Sequence, residues 1–283
     1  MKTYIECYPC FLKQALSATR RAGGTEEQQL SVLRKTMEIL IKLDTGTIPP
    51  EIARLVHHAV RKEISSLDPY REAKQMSTGQ ALALLPDLRR LIDNSPDPMD
   101  TAIRLAIAGN IMDLGVMEDF GNLHDTIDRV LEQPFAIDHT TELKRLMETA
   151  DHLLYLADNT GETVFDRALI ERINIPVIYG VKGSPVLNDA TEQDAIEAGL
   201  QEITTILPNG SDAPGTLLEL CSAEFRETFR KAPVVIAKGQ GNYESLSDAD
   251  RKVFCLLQVK CPVIGEDIGA PTGSIICRRS QPC

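Results

Sequence analysis

The sequence predicts an α/β fold: a mostly parallel sheet in the C-terminal half, preceded by a helical region. Three observations predict it. Residues 1–150 carry apolar residues at helical spacing almost throughout. From His152 onward short apolar runs alternate with helical segments, the pattern of a parallel sheet with crossover helices. The clearest unit, LLYLADNTGETVFDRALIERI at 153–173, is an apolar run, a polar loop and a helical stretch in direct succession. We therefore expect a helical region, 1–150, contributing to a cleft, and an α/β region, 151–283, carrying the site.

The helical elements follow in order. Residues 10–21 place Phe11, Ala15, Leu16 and Ala18 along one helix, closed by Gly23-Gly24. Thr25 with Gln28 reads as a capping box for the next helix, which carries Leu33, Met37 and Leu40 through 30–43. Pro49-Pro50 open 51–64, with Ile52, Val56, Val60 and Ile64 on one face. His57 and His58 lie in this helix at different azimuths, so they read as ordinary histidines and not as a metal pair. A further helical region starts at 68–72, and Pro86 predicts a break or kink in it. Pro96-Asp97-Pro98 interrupt the chain before a strongly apolar helix at 100–111, which ends in GNIMDLG. A C-terminal cap at Gly109 or Asn110 accounts for that ending. Residues 123–149 give two short helices around Pro134.

In the α/β half, strands are predicted at 153–157, 176–181, 202–206 and 233–237, with further strand material at 253–259 and 262–264. Helices are predicted at 163–173, 190–198 and 217–230. Four polar loops follow four apolar runs: Asp158-Asn159, Asn188-Asp189, Ser211-Asp212 and Lys238-Gly239-Gln240-Gly241-Asn242. In an open α/β sheet such loops converge at the carboxyl edge, where ligands bind. Carboxylates and carboxamides suit a hard divalent cation, glycines let backbone N–H groups approach phosphate oxygens, and a lysine offsets phosphate charge. On spacing alone, an Asx turn with a helix cap at Asn159 or Thr160 explains the first loop equally well.

Composition bounds the function. With 283 residues at 43% hydrophobic, the chain buries a sizeable core, and no apolar run approaches membrane-spanning length. The net charge of −11 argues against nonspecific nucleic-acid binding but leaves room for a local cationic pocket. The seven cysteines, with no apolar signal core at the N-terminus, point to a reducing cytoplasm. There is no GxGxxG, Walker loop, GxSxG elbow or HExxH, which disfavours dinucleotide enzymes, P-loop NTPases, α/β-hydrolases and zincins. Cys7 and Cys10 form a CxxC without a second one. Packing is the simplest role for it; metal binding and redox sensing are the alternatives.

The motifs GNIMDLG, ADNTGETVFD, LNDAT, SDAPGT and KGQGNYESL together resemble the metal-dependent damage-control phosphatases, long catalogued as a domain of unknown function. DPYREAK and Cys7-Tyr8-Pro9-Cys10 resemble the CxxC-bearing subfamily I, and the likeness spans nearly the whole chain. The resemblance implies one divalent metal (Mn²⁺ first; Co²⁺, Ni²⁺ or Mg²⁺ as alternatives) on Asp158, Asn159 and Asp189. It also implies Lys238 near a substrate phosphate, and Asn110 and Asp113 brought to the cleft by the helical half. Asp158 and Lys238 are the expected catalytic pair. Gly161, Glu162, Ser211, Asp212, Gly239, Gly241 and Asn242 are expected around the substrate. The implied fold is an α/β/α sandwich with a helical N-terminal region, and the implied activity is hydrolysis of small phosphomonoesters, sugar phosphates or damaged nucleotide-related metabolites. Two rivals are an S-adenosylmethionine-dependent carboxyl methyltransferase, for which no glycine-rich loop stands out, and a non-catalytic metal or phosphometabolite sensor. Oligomeric state is not readable from these residues.

Overall fold

The structure, a computed structural model, describes residues 1–44, 46–109 and 123–280. Three helices form an N-terminal bundle: α1 (Cys7–Arg21), α2 (Glu26–Ile41) and α3 (Pro49–Ile64). The Thr25–Gln28 capping box that starts α2 is formed on both sides. Phe11, Ala15, Val32, Val56 and Val60 are the buried centre of this bundle. Next come α4 (Arg71–Asp93) and α5 (Pro98–Ala108), then α6 (Leu123–Glu132), β1 (Phe135–Asp138) and α7 (Thr140–Thr149). The α/β half continues with β2 (Leu153–Leu156), α8 (Thr163–Ile170), β3 (Val177–Val181), α9 (Glu192–Glu197) and β4 (Thr205–Pro208). It closes with α10 (Ala223–Lys231), β5 (Val234–Lys238), α11 (Gly239–Leu246), β6 (Phe254–Gln258), α12 (Pro262–Ile268) and β7 (Ile275–Arg279).

The seven strands form one sheet in the order β1-β7-β6-β5-β2-β3-β4. Every pairing is parallel except β6 with β7. β2 is central and fully buried, which is why it reads as an unbroken apolar run. The chain steps from β2 outward to β3 and β4, then returns to place β5 on the other side of β2. The switch point therefore lies between β2 and β5, and the crevice outside it is where such sheets bind ligands. Leu153, Tyr155, Val177, Tyr179 and Ile236 pack towards Leu88, Leu105 and Phe165 on one face, in a core shared with α4, α5 and α8. Leu154, Leu156, Val235 and Ala237 pack towards Phe225, Tyr243 and Leu246 of α10 and α11 on the other.

Several expectations are corrected. Pro86 does not break α4: it lies on the exposed face, while Leu85, Leu88 and Ile92 hold the helix to the core. The sheet does not begin after residue 150, since β1 pairs with β7 from within the helical half. Residues 262–264 are not strand. Pro262 occupies the first turn of α12, where the missing N–H has no helical partner to lose. Residues 239–242 are not a loop but the first turn of α11. Among the described residues no helix is long and apolar enough to cross a membrane.

His57 sits inside the bundle at 2% exposure, and its Nε2 has no hydrogen-bond partner among the described residues. Burial, reinforced by Arg61, pushes its pKa down to about 3. Its folded pKa lies below its unfolded value, so the unfolded chain binds more protons between the two. Stability is complete above pH 6.5 and falls as the pH drops towards 3. Urea titrations near pH 7 and pH 5.5 are expected to differ by about 1.3 kcal/mol more in the native chain than in His57→Leu. Equal differences would remove this role.

Candidate active site

The loops after β2 and β3 are stitched together by their backbones. Thr160 N donates to Asn188 O at 2.8 Å, Ala190 N donates to Asp158 O at 2.8 Å, and Asn159 and Asp189 form an antiparallel bridge. The two acidic-amide pairs expected to converge thus lie side by side. Leu187 supports the reversal with a left-handed φ of 49° and packs against the N-terminal bundle core. Left-handed backbone costs a leucine about 1–2 kcal/mol.

Asn159 Nδ2 donates to Asp158 Oδ2 at 3.3 Å and to Glu162 Oε1 at 2.8 Å. Both amide protons are thereby committed to carboxylates, and the harder donor, Oδ1, lies on the other side of the amide. Glu162 Oε2 accepts from Lys238 Nζ at 3.0 Å, and the same ammonium donates to Asp166 Oδ1 at 2.7 Å. Asp166 also accepts from Tyr155 and Tyr179, each at 2.7 Å. The two tyrosines are register partners on β2 and β3 and stack with centroids 5.5 Å apart. Burial and then Asp166 push both phenols well above their ordinary pKa, so they stay protonated as donors. Burial opposes the charge on Lys238, but Asp166 and Glu162 more than offset it and its pKa is raised.

A second lysine was not singled out from the sequence. Lys182, at the end of β3, puts Nζ 3.3 Å from Asp189 Oδ2 and donates to Gly215 O. Asp158, Glu162, Asp166 and Asp189 are all buried, as are Lys182 and Lys238, so among the described residues the site gathers four carboxyl groups and two lysines. Among the described residues no three His, Cys, Asp or Glu side chains converge as a ready cluster. The donor set is two carboxylates and an amide, Asp158, Asn159 and Asp189, which suits a hard ion that keeps water or substrate in its other positions.

The remaining expected residues divide. Gly239 has φ +76°, and a Cβ there would lie 1.8 Å from Asp158 Oδ2, so the close approach of β5 to Asp158 requires glycine. The first N–H groups of α11, from Gly239 to Gly241, have no intrahelical acceptor and suit an anion. Gly161 lies in the buried turn Thr160–Glu162 that leads into α8. Asn242, expected at the substrate, is instead a strap. Its Nδ2 donates to Ala157 O and Lys238 O, and its Oδ1 accepts from Thr216 Oγ1. Glu162 and Lys238 lie beneath the loop at 0% and 1% exposure, bonded to one another. Ser211 is buried and caps its own turn through Ala213 N. Asp212 turns towards α3, paired with Arg54 at 2.5 Å and Arg61 at 2.7 Å. Asn110 and Asp113 lie outside the described residues. Cys7 is half-buried and Cys10 exposed at the start of α1, and burial raises the Cys7 thiol.

Fold and site together define an α/β protein with buried carboxylates, an amide and two lysines gathered at the switch point of its sheet. Residues 3–276 match the damage-control phosphatase ARMT1-like domain, and the chain belongs to that family. It is 33% identical to a damage-control phosphatase of Pyrococcus horikoshii, covering 99% of both chains. It is 29% identical to a damage-control phosphatase of Archaeoglobus fulgidus, covering 98% of this chain and 99% of the relative. The crystal structure of a DUF89 family protein from P. horikoshii superposes with a TM-score of 0.91 at 32% identity, over 99% of this chain and all of the other.

Proposed function

We propose that this member of the damage-control phosphatase family hydrolyses small phosphomonoesters with one divalent metal held by Asp158, Asn159 and Asp189. The observation that carries the metal dependence is the backbone bridge that sets the oxygen donors of Asp158, Asn159 and Asp189 side by side at the switch point. When bound, the metal supplies Lewis-acid polarisation of a phosphoryl oxygen and lowers the pKa of a water. The chain's own residues do the rest. Glu162 fixes the Asn159 amide, and Lys238 fixes Glu162 against Asp166, so the donors are oriented before substrate arrives. The α11 N–H groups and Lys182 face the developing charge on the phosphoryl oxygens. Asp158 would act either as base to the incoming water or as the nucleophile itself. Acid-quenched single turnover with a phosphate-labelled substrate separates these: label held on Asp158 and released by hydroxylamine requires an aspartyl-phosphate, and no protein-bound label argues for direct attack by water.

Mn²⁺ is our first choice of metal, with Co²⁺, Ni²⁺ and Mg²⁺ as alternatives of similar ligand chemistry. Sugar phosphates and damaged nucleotide-related phosphates are the proposed substrates. The six described cysteines are all free, which supports a cytoplasmic setting. The test is phosphate release from an aryl phosphate by metal-stripped protein, with each metal added back singly. Restoration by at least one metal is expected. Failure with all four, from a folded chain that still binds metal, would shift the reading to a sensor.

A further inference from the structure

A cleft of about 1050 Å³ opens between α3, the segment joining α3 to α4, and the loops after β3 and β4. It is at the upper end of small-molecule sites, about 300–1,000 Å³, and far larger than one phosphate needs. Its walls carry Arg54, Arg61, Lys62 and Arg71. Of its carboxylates, Asp212 is taken by Arg54 and Arg61, while Asp68 and Asp194 lie 3.6 and 2.7 Å from the buried Lys74. Glu197 accepts a hydrogen bond from Gln193. Lys62 and Arg71 are exposed and make no ion pair among the described residues. The cleft therefore offers two unspent cations on a chain whose net charge is −11. It is also close to the proposed centre. Thr191 lines it, two residues beyond Asp189, a backbone span of at most about 7 Å.

We infer that Lys62 and Arg71 select phosphomonoesters carrying a second anionic group, a phosphate or a carboxylate, held in this cleft while the scissile phosphate sits at Asp158 and Asp189. The inference rests on the phosphatase reading above. Both cations are exposed, so Lys62→Gln and Arg71→Gln test it without opening the core. The readout is the ratio of kcat/KM for a hexose bisphosphate, and separately for a phosphorylated sugar acid, to that for the hexose monophosphate. The native ratio is expected above ten for at least one of the two, and each variant should lower it about tenfold, the scale of one charge-assisted hydrogen bond. Whichever dianion shows the preference identifies the second group. Hydrolysis of all three at similar kcat/KM, or ratios unmoved by both variants, overturns the inference and leaves the phosphatase reading standing. If no substrate is turned over with any metal, the phosphatase reading is what fails. Titration calorimetry with the bisphosphate then decides the cleft: affinity about tenfold weaker in Arg71→Gln keeps the assignment, and no binding or equal binding ends it.

Discussion

Asp158→Ala is expected to abolish metal-restored phosphate release, by on the order of 10³-fold or more, the scale on which loss of one preorganised electrostatic group acts. The fold should survive, because the backbone bond from Ala190 N to Asp158 O remains and the Asn159 amide keeps its shorter bond to Glu162. Gly239→Ala should produce a comparable loss from the opposite strand. The new methyl would lie 1.8 Å from Asp158 Oδ2 and 2.2 Å from its Cγ. The atoms that must give way are the end of the functional side chain, so the fold yields cheaply and the site does not. The left-handed φ of +76° adds about 1–2 kcal/mol. Activity should therefore fall much further than stability. Denaturation midpoints and metal-dependent kcat/KM, measured on the same samples, check this. A Gly239→Ala variant with native turnover would mean that Asp158 does not work from this position.

The parts of this design that were legible in the sequence are those with a local signature. The apolar run of β2 is continuous because the strand is buried on both faces, and the loop after it is polar because it lies at the sheet edge. The Thr25 cap and the prolines opening α3 read correctly for the same reason. What was missed depends on partners far away in the chain. β1 is four residues of alternating burial at a sheet edge, and β7 turns basic at Arg278-Arg279, so neither carries a strong strand pattern. The glycines of 239–241 look like loop, and only the geometry next to Asp158 shows them starting a helix. Tyr155 and Tyr179 read as ordinary strand aromatics; the parallel register that aims both hydroxyls at Asp166 is a property of the sheet. Lys182 reads as one more polar loop residue until the return of the chain sets Asp189 beside it. The inward bonds of Asn242 and Lys238 were not legible either, since a linear motif does not show which of its polar groups bond within the chain.

Lys238→Met is expected to destabilise the chain by about 3–5 kcal/mol, the cost of breaking a buried ion pair from one side. Native domains hold only about 5–15 kcal/mol in all, so this is a large share. The ammonium pairs with both Glu162 and Asp166, and all three groups are within 1% of full burial. Removing it leaves two carboxylates in an interior that cannot solvate them. Adding Asp166→Asn to Lys238→Met should recover part of the loss, because one orphaned charge is gone while the amide can still bond the Tyr155 and Tyr179 hydroxyls. Urea unfolding of the single and double variants measures both effects. Equal stability of native chain and Lys238→Met would show that the ammonium is not committed to these carboxylates, and would return it to the substrate side where the sequence first suggested it. The expected result instead makes Lys238 a positioning residue. It acts through Glu162 on the orientation of Asn159, so turnover of the refolded double variant should stay depressed even where its stability returns.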